Sequence, residues 1–167
     1  VTDGIREVTG LEAAIKWPND VVVRGKKVAG ILTEMSTDLD RIEFVVIGIG
    51  INVNTDSFPE EIREVATSLA IEQGKETART PIIAAVWKQF ARYEKLFEEK
   101  GSFTALKERY EALLANRGRE VRVLDPDGEY CGVAEGITEG GELLVRREDQ
   151  SLTAVRSGEV SVRGIYG

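Results

Sequence analysis

An α+β fold is expected from three features of the sequence. Short β-rich runs crowd its first fifty residues, two long stretches of helical periodicity follow, and short period-two runs return in its last fifty. An amphipathic opening segment, with Ile5 and Val8 ending at Gly10, leads into β-rich runs at 14–17, 21–24, 27–35 and 42–49. Thr80-Pro81 supplies an N-cap and first-turn pair, and Ile83, Val86, Phe90 and Phe97 recur along one face, so a helix is expected over about 81–99. Gly101 breaks it, Ser102 is placed to cap a second helix, and Phe103, Leu106, Tyr110, Leu113 and Leu114 form that helix's buried stripe. The two helices make a hairpin.

After Gly118 the period becomes two. Val121 and Val123 precede a turn at Asp125-Pro126-Asp127-Gly128, and a second turn at Glu139-Gly140-Gly141 precedes Leu143 and Val145. The runs at 152–155 and 160–162 complete five short strands in 50 residues, the pattern of a small SH3-like barrel. Composition shifts at the same place: 8 glycines lie in the first 117 residues and 9 in the last 50, and all eight lysines precede the shift. Two domains, 1–117 and 118–167, are therefore expected.

At 167 residues, 42% hydrophobic and 31% charged, the chain can bury a core without a metal or disulfide staple, and disorder is excluded. One cysteine, Cys131, forbids an intrachain disulfide. The absence of histidine removes Ser-His and Cys-His nucleophilic pairs, a histidine base and a Cys/His zinc site. A net charge of -7 argues against a nucleic-acid surface, and the apolar run at 44–51 falls far short of the ~20 residues that cross a bilayer. With no targeting signal, cytoplasm is the expected compartment. The chain opens on Val1 and enters structure at once, as a sequence joined partway through would.

Chemistry must then rest on Lys, Arg, carboxylates, hydroxyls and backbone. In Lys16-Trp17-Pro18-Asn19-Asp20, Pro18 restricts Trp17 to extended geometry, so Lys16 can be held at a strand end, where its ammonium suits an anion. The competing reading is a surface lysine beside a turn, and Asn19 and Asp20 are turn formers in their own right. The stretch 27–34 reads as a buried strand with one glycine, Gly30. Gly48-Ile49-Gly50-Ile51-Asn52-Val53 resembles a dinucleotide fingerprint but has Val53 at its third glycine position and opens no helix, so a Rossmann site is not expected. Either its glycines only permit close packing, or the backbone there lies against a flat ligand with Asn52 offering a donor and an acceptor to a base edge. Phe58, Ile62 and Ala66, four residues apart, fall on one helical face after a Phe58-Pro59 turn, with core packing as the plain explanation.

The ordered set Lys16-Trp17-Pro18-Asn19-Asp20, Val28-Ala29-Gly30-Ile31-Leu32-Thr33-Glu34 and Gly48-Ile49-Gly50-Ile51-Asn52-Val53-Asn54 resembles the biotin protein ligase family. Ala66-Thr67-Ser68-Leu69 and the closing Ser157-Gly158-Glu159-Val160-Ser161-Val162-Arg163 extend the resemblance along the whole chain. The family also has an upstream half of the catalytic domain with a glycine- and arginine-rich phosphate loop, and this chain has nothing like that loop.

The resemblance implies the second half of a mixed sheet like that of class II aminoacyl-tRNA synthetases and biotin ligases, with a helical hairpin and an SH3-like barrel. It implies ATP-dependent activation of biotin to biotinyl-5'-AMP and transfer to a lysine of a biotin carboxyl carrier protein. Lys16 would stabilise the developing charge and, with Gly30 and Ile31, bind biotin. Asn52 would hold adenine, Phe58, Ile62 and Ala66 would wall it, and Glu159 and Arg163 would engage nucleotide or carrier. Mg2+ would accompany ATP, with no protein-held metal, no membrane and no nucleic acid among the partners. By itself the chain is expected to be inactive, and to form a homo-oligomer through an exposed sheet edge. The alternative is a non-catalytic binding module that keeps the ligase fold.

Overall fold

The computed structural model describes residues 1–38, 41–125, 128–156 and 161–163, the last three by backbone alone. Helix α1 (Thr2–Thr9) ends where Gly10 turns left-handed, at φ 70°, and donates its N–H to the Arg6 carbonyl. Four strands follow: β1 (Ala13–Lys16), β2 (Asp20–Val23), β3 (Lys26–Asp38) and β4 (Arg41–Ile51), all antiparallel, in the order β1-β2-β3-β4. Parallel pairing enters only as isolated bridges, Ile15 with Leu114 and Lys27 with Ala66, among the described residues. Arg24 and Gly25, both at positive φ, make the tight β2–β3 turn.

One face of this sheet is the first core. Val21, Val23 and Ala29 pack with Ile5 of α1, Leu69 of α2 (Leu69–Gln73), and Ile82 and Val86 of α3 (Arg79–Lys100). Strands β1 and β2 stop at the level of Lys16 and Asp20, so β3 and β4 run on together as a two-stranded ribbon, solvated on both faces.

The helices correct several expectations. α3 begins at Arg79 with Ala78 as its cap, so Thr80 lies inside the first turn; Gly101 ends it at φ 64°, as expected. α4 (Thr104–Leu113) is preceded by Phe103, and Ser102 does not cap it. The buried side of α3 is Ile82, Ala85, Val86 and Gln89, whereas Ile83, Phe90 and Phe97 are exposed. The cause lies in the partner: α3 rests on α1, where Gly4 meets the Val86 backbone, and that contact selects the neighbouring face. No regular helix carries Phe58, Ile62 and Ala66. Pro59 accepts from the Ile62 and Arg63 amides and Ile62 from the Ala66 amide, giving a run of turns that ends in the bridge to Lys27.

The second sheet has β5 (Glu120–Leu124), β6 (Tyr130–Ile137), β7 (Leu143–Arg146), β8 (Leu152–Val155) and β9 (Ser161–Arg163), antiparallel in the order β8-β7-β6-β5-β9. It is an open sheet rather than a closed barrel, with β8 and β9 at opposite edges. The turn at 139–141 forms, with Gly141, at φ 84°, donating to Thr138, and at the other expected turn Gly128 donates to Asp125. Pro126 and Asp127 within the first turn, and residues 157–160, lie outside the described residues. Val121, Val123, Ala134, Ile137, Leu143, Val145 and Val155 form its core, into which the first sheet inserts Trp17. No helix among the described residues is long and apolar enough to cross a membrane.

Candidate functional site

Strand register brings three separate sequence segments into one line. Lys16 of β1 lies opposite Asp20 of β2, Asp20 opposite Gly30 of β3, and Gly30 opposite Gly50 of β4. Cross-strand partners share a face. The four residues therefore form a row facing away from the first core, which takes Val21, Ala29 and Ile51 of the neighbouring row. Two glycines leave half of that row without side chains, a flat floor beside two charged groups.

Lys16 is only 6% exposed, and a buried ammonium is tolerated only when it is paired. Asp20 supplies the pairing: its Oδ2 lies 3.5 Å from Lys16 Nζ and its Oδ1 2.5 Å from Lys27 Nζ. One carboxylate thus joins two ammoniums. Lys16 is fixed from behind by Trp17, whose backbone N–H donates to the buried Asn116 Oδ1 (2.8 Å) and whose indole N–H donates to the Gly141 carbonyl (3.0 Å). The Trp17–Pro18 peptide is cis. Trp17's insertion in the second core holds the strand end.

Lys27 reaches the row through a bulge. Register shifts between Val21 and Val22, which lie opposite Ala29 and Lys27, so Val28 is the extra residue. Val28 and Ala29 are consecutive and both buried, and Lys27 returns to the Gly30 face. Its Cε and Nζ lie 3.1 Å from where a Cβ at Gly30 would sit.

Asn52 follows β4 at the position that alternation assigns to the Gly50 face. Its N–H donates to the Val28 carbonyl (2.8 Å) and its side-chain amide to the Thr67 carbonyl (3.1 Å). One side-chain N–H is therefore committed to Thr67. Ala66 borders the row through its bridge to Lys27; Phe58 is half-buried and Ile62 exposed. Ile31 is not brought to this face, because its partner across the sheet is Ile49, one position from the glycine row, and its amide and carbonyl bond Asn19. Arg163 pairs by backbone with Arg122 in the second sheet; its side chain, and all of Glu159, lie outside the described residues. Asp20 and Lys27 had no assigned role in the sequence reading. The signal for Asp20 was its place four residues after Lys16, across the three turn residues Trp17-Pro18-Asn19; the bulge that delivers Lys27 leaves no such mark.

Among the described residues no group of three or more His, Cys, Asp and Glu side chains could hold a metal. A groove of about 990 Å³ on the second sheet, lined by Tyr130, Arg146 and Arg147 among others, is open and charged, unlike the apolar clefts that hold small ligands.

Fold and row together define an α+β protein whose antiparallel sheet carries a buried lysine beside a glycine floor. The model of the Biotin/lipoate A/B protein ligase family matches residues 1–52, which contain the entire row, and that of the Biotin protein ligase C terminal domain matches residues 118–163. The biotin protein ligase of Aquifex aeolicus superposes with a TM-score of 0.86 at 36% identity, over 98% of this chain and 70% of that one. The bifunctional ligase/repressor BirA of Bacillus subtilis is 38% identical over 151 residues, 89% of this chain and 46% of the relative. A biotin--[acetyl-CoA-carboxylase] ligase of Paracoccus denitrificans is 32% identical over 136 residues, 80% of this chain and 56% of the relative. The chain belongs to the biotin protein ligase family. It spans about half the length of the curated relatives it matches.

Proposed function

We propose that the chain forms part of an enzyme that activates biotin with ATP and passes it to a lysine of the biotin carboxyl carrier protein of a biotin-dependent carboxylase. The observation that carries this reading is the row itself: a paired, nearly buried lysine beside a glycine floor, from the segments that align with ligases. An Aquifex aeolicus biotin protein ligase solved in complex with biotin and ATP superposes with a TM-score of 0.85 at 36% identity.

In the first step the biotin carboxylate attacks the α-phosphorus of ATP; an acyl C–O–P link forms and the bond to pyrophosphate breaks. In the second, the carrier lysine's amine attacks the acyl carbon, an amide forms, AMP departs and the amine sheds its proton. Negative charge builds on phosphoryl oxygen and then on acyl oxygen. A pre-aimed ammonium at Lys16 stabilises both without reorganising at the moment of reaction.

Gly30 floors the biotin site, and Ile31, whose side chain turns away, keeps a backbone position beside it. Asn52 addresses adenine, and Phe58, Ile62 and Ala66 border it. Arg163 engages nucleotide or carrier. Mg2+ arrives with ATP, and the protein works in the cytoplasm. Residues 1–117 belong to the catalytic domain and 118–167 to a C-terminal domain, and copies associate through the edge of β4.

The test is single-turnover formation of biotinyl-5'-AMP by the gene product that carries this sequence. Lys16→Met is expected to slow it by about a hundredfold or more, the scale for losing one transition-state donor, while Asp20 keeps its pairing with Lys27 and the chain stays folded by circular dichroism. Unchanged adenylation in that variant would remove Lys16 from the chemistry, and no adenylation by the wild-type gene product would leave the binding-module reading.

A further inference from the structure

We propose that Asn116 is a positioning residue for Lys16: its side chain completes, from outside the first sheet, the pair of bonds that fixes the backbone on either side of that lysine. The proposal rests on the ligase reading only for what Lys16 does. Where Lys16 is held, and by what, is independent of that reading.

In an antiparallel pair, alternate residues turn their N–H and C=O away from the partner strand, and at the end of β1 those outward groups belong to Ile15 and Trp17, the two neighbours of Lys16. Both are taken by the segment that follows α4. The Ala115 N–H donates to the Ile15 carbonyl (2.7 Å), and the Trp17 N–H donates to Asn116 Oδ1 (2.8 Å). The Ile15–Leu114 bridge is parallel, and in a regular parallel ladder the backbone of one residue would make both bonds; here a side chain supplies the second acceptor. Asn116 is fully buried, and its Nδ2 has no partner among the described residues.

That orphaned N–H separates position from stability. A buried donor without a partner destabilises the fold, so stability alone does not account for asparagine at 116. What the amide supplies is one acceptor, a single peptide away from Lys16. An ammonium moves with the Cα that carries it. With Ile15 and Trp17 both pinned, the Lys16 stem leaves a fixed point and its Nζ is set 3.5 Å from Asp20 Oδ2. Strand β1 ends at Lys16, so release of the Trp17 N–H frees the strand's last residue. The indole bond to Gly141 then holds the Trp17 ring but not its peptide.

The test uses the gene product that carries this sequence. Asn116→Leu and Asn116→Ala remove the acceptor, with and without filling its space, and Asn116→Asp keeps it. The first readout is trace labelling of lysine amines by acetic anhydride under native conditions, with the rate at Lys16 taken relative to that at exposed Lys95. Loss of the acceptor is expected to raise that ratio about tenfold, and Asn116→Asp to hold it within about twofold of the wild type. The second readout is single-turnover formation of biotinyl-5'-AMP at saturating ATP and biotin. Asn116→Leu and Asn116→Ala should slow it about tenfold in the wild-type background and less than about twofold further in the Lys16→Met background, the pattern of a residue that acts through Lys16. Equal slowing in both backgrounds would overturn the proposal. So would unchanged labelling of Lys16 in variants that stay folded by circular dichroism, since the packing of Trp17 would then be enough. A wild type that forms no biotinyl-5'-AMP would remove the ligase reading, and the labelling ratio alone would then decide whether Asn116 holds Lys16.

Discussion

Trp17 and Lys16 are neighbours in sequence and opposites in duty: one side chain is sealed in the second core, the next is aimed at the glycine row. The joint between them is the hydrogen bond from the Trp17 N–H to Asn116 Oδ1, and Asn116 is fully buried. Asn116→Ala leaves that N–H without a partner and is expected to cost about 1–3 kcal/mol in urea denaturation. A loss under half a kcal/mol would mean that Trp17 holds its place by packing alone. Asn52→Ala is expected to raise KM for ATP by about tenfold or more, the scale of one lost hydrogen-bonded base contact, and to leave KM for biotin nearly unchanged. Steady-state kinetics on both substrates checks it, and equal rises would dissociate Asn52 from adenine. Lys16, Gly30 and Asn52 were legible in the sequence because each sits in a compact motif. Asp20 and Lys27 were not: the first reads as a turn former, and the second changes faces only because of a bulge. Ile31 was assigned to the ligand face because motif matching ignores alternation along a strand.

Between elements, the tie most open to titration is Asp3 of α1, which accepts hydrogen bonds from Arg109 of α4 and Tyr93 of α3. Partial burial works to raise its pKa, but the bonds from Arg109 and Tyr93 outweigh it and hold the carboxyl below its ordinary value. A carboxyl depressed in the folded state adds stability that is present above its unfolded pKa of about 4 and is lost as pH falls through the folded value. With Arg109 half in solvent, the contribution is expected to be about 1 kcal/mol or less. Melting temperatures of wild type and Asp3→Asn should differ by a constant amount from pH 7 to 5 and converge below about pH 4. A gap that widens with acid would contradict the assignment. The strands and helices α1, α3 and α4 were placed by the sequence to within a few residues, since alternation and helical spacing are local, whereas the short α2 at Leu69–Gln73 was not expected. The buried face of α3 was not, because Ile83, Val86 and Phe90 make as good a stripe on paper as Ile82, Ala85 and Val86. The choice falls to Gly4, whose missing side chain lets α1 approach.

For the whole molecule, the asymmetry of the first sheet decides how it behaves in solution. At one edge β1 is tied to the segment that follows α4, by Ala115 donating to Ile15 and by the Ile15–Leu114 bridge. At the other edge β4 has β3 as its only partner strand in the described sheet, and Ile42, Phe44, Val45, Val46, Ile47 and Ile49 along it are all exposed. On one face its side chains meet Ile83, Trp87 and Phe90 across an apolar groove of about 420 Å³. Natural edge strands are guarded by lysine, proline, bulges or short length; β4, eleven residues long, has neither lysine nor proline, and its register shift, at Glu43, lies near its start and leaves residues 44–51 in regular pairing. Strand addition by a second copy would pair the backbone edge and cover apolar surface together, so the 167-residue chain is expected to self-associate at micromolar concentration. Val46→Lys places a charge in the middle of β4 and costs the fold little, because Val46 is half in solvent already. Sedimentation velocity should show concentration-dependent dimers or larger species for the wild-type chain and a shift to monomer for Val46→Lys, with circular dichroism unchanged. A wild-type chain that sediments as a monomer throughout that range would show that the edge is protected by means other than pairing.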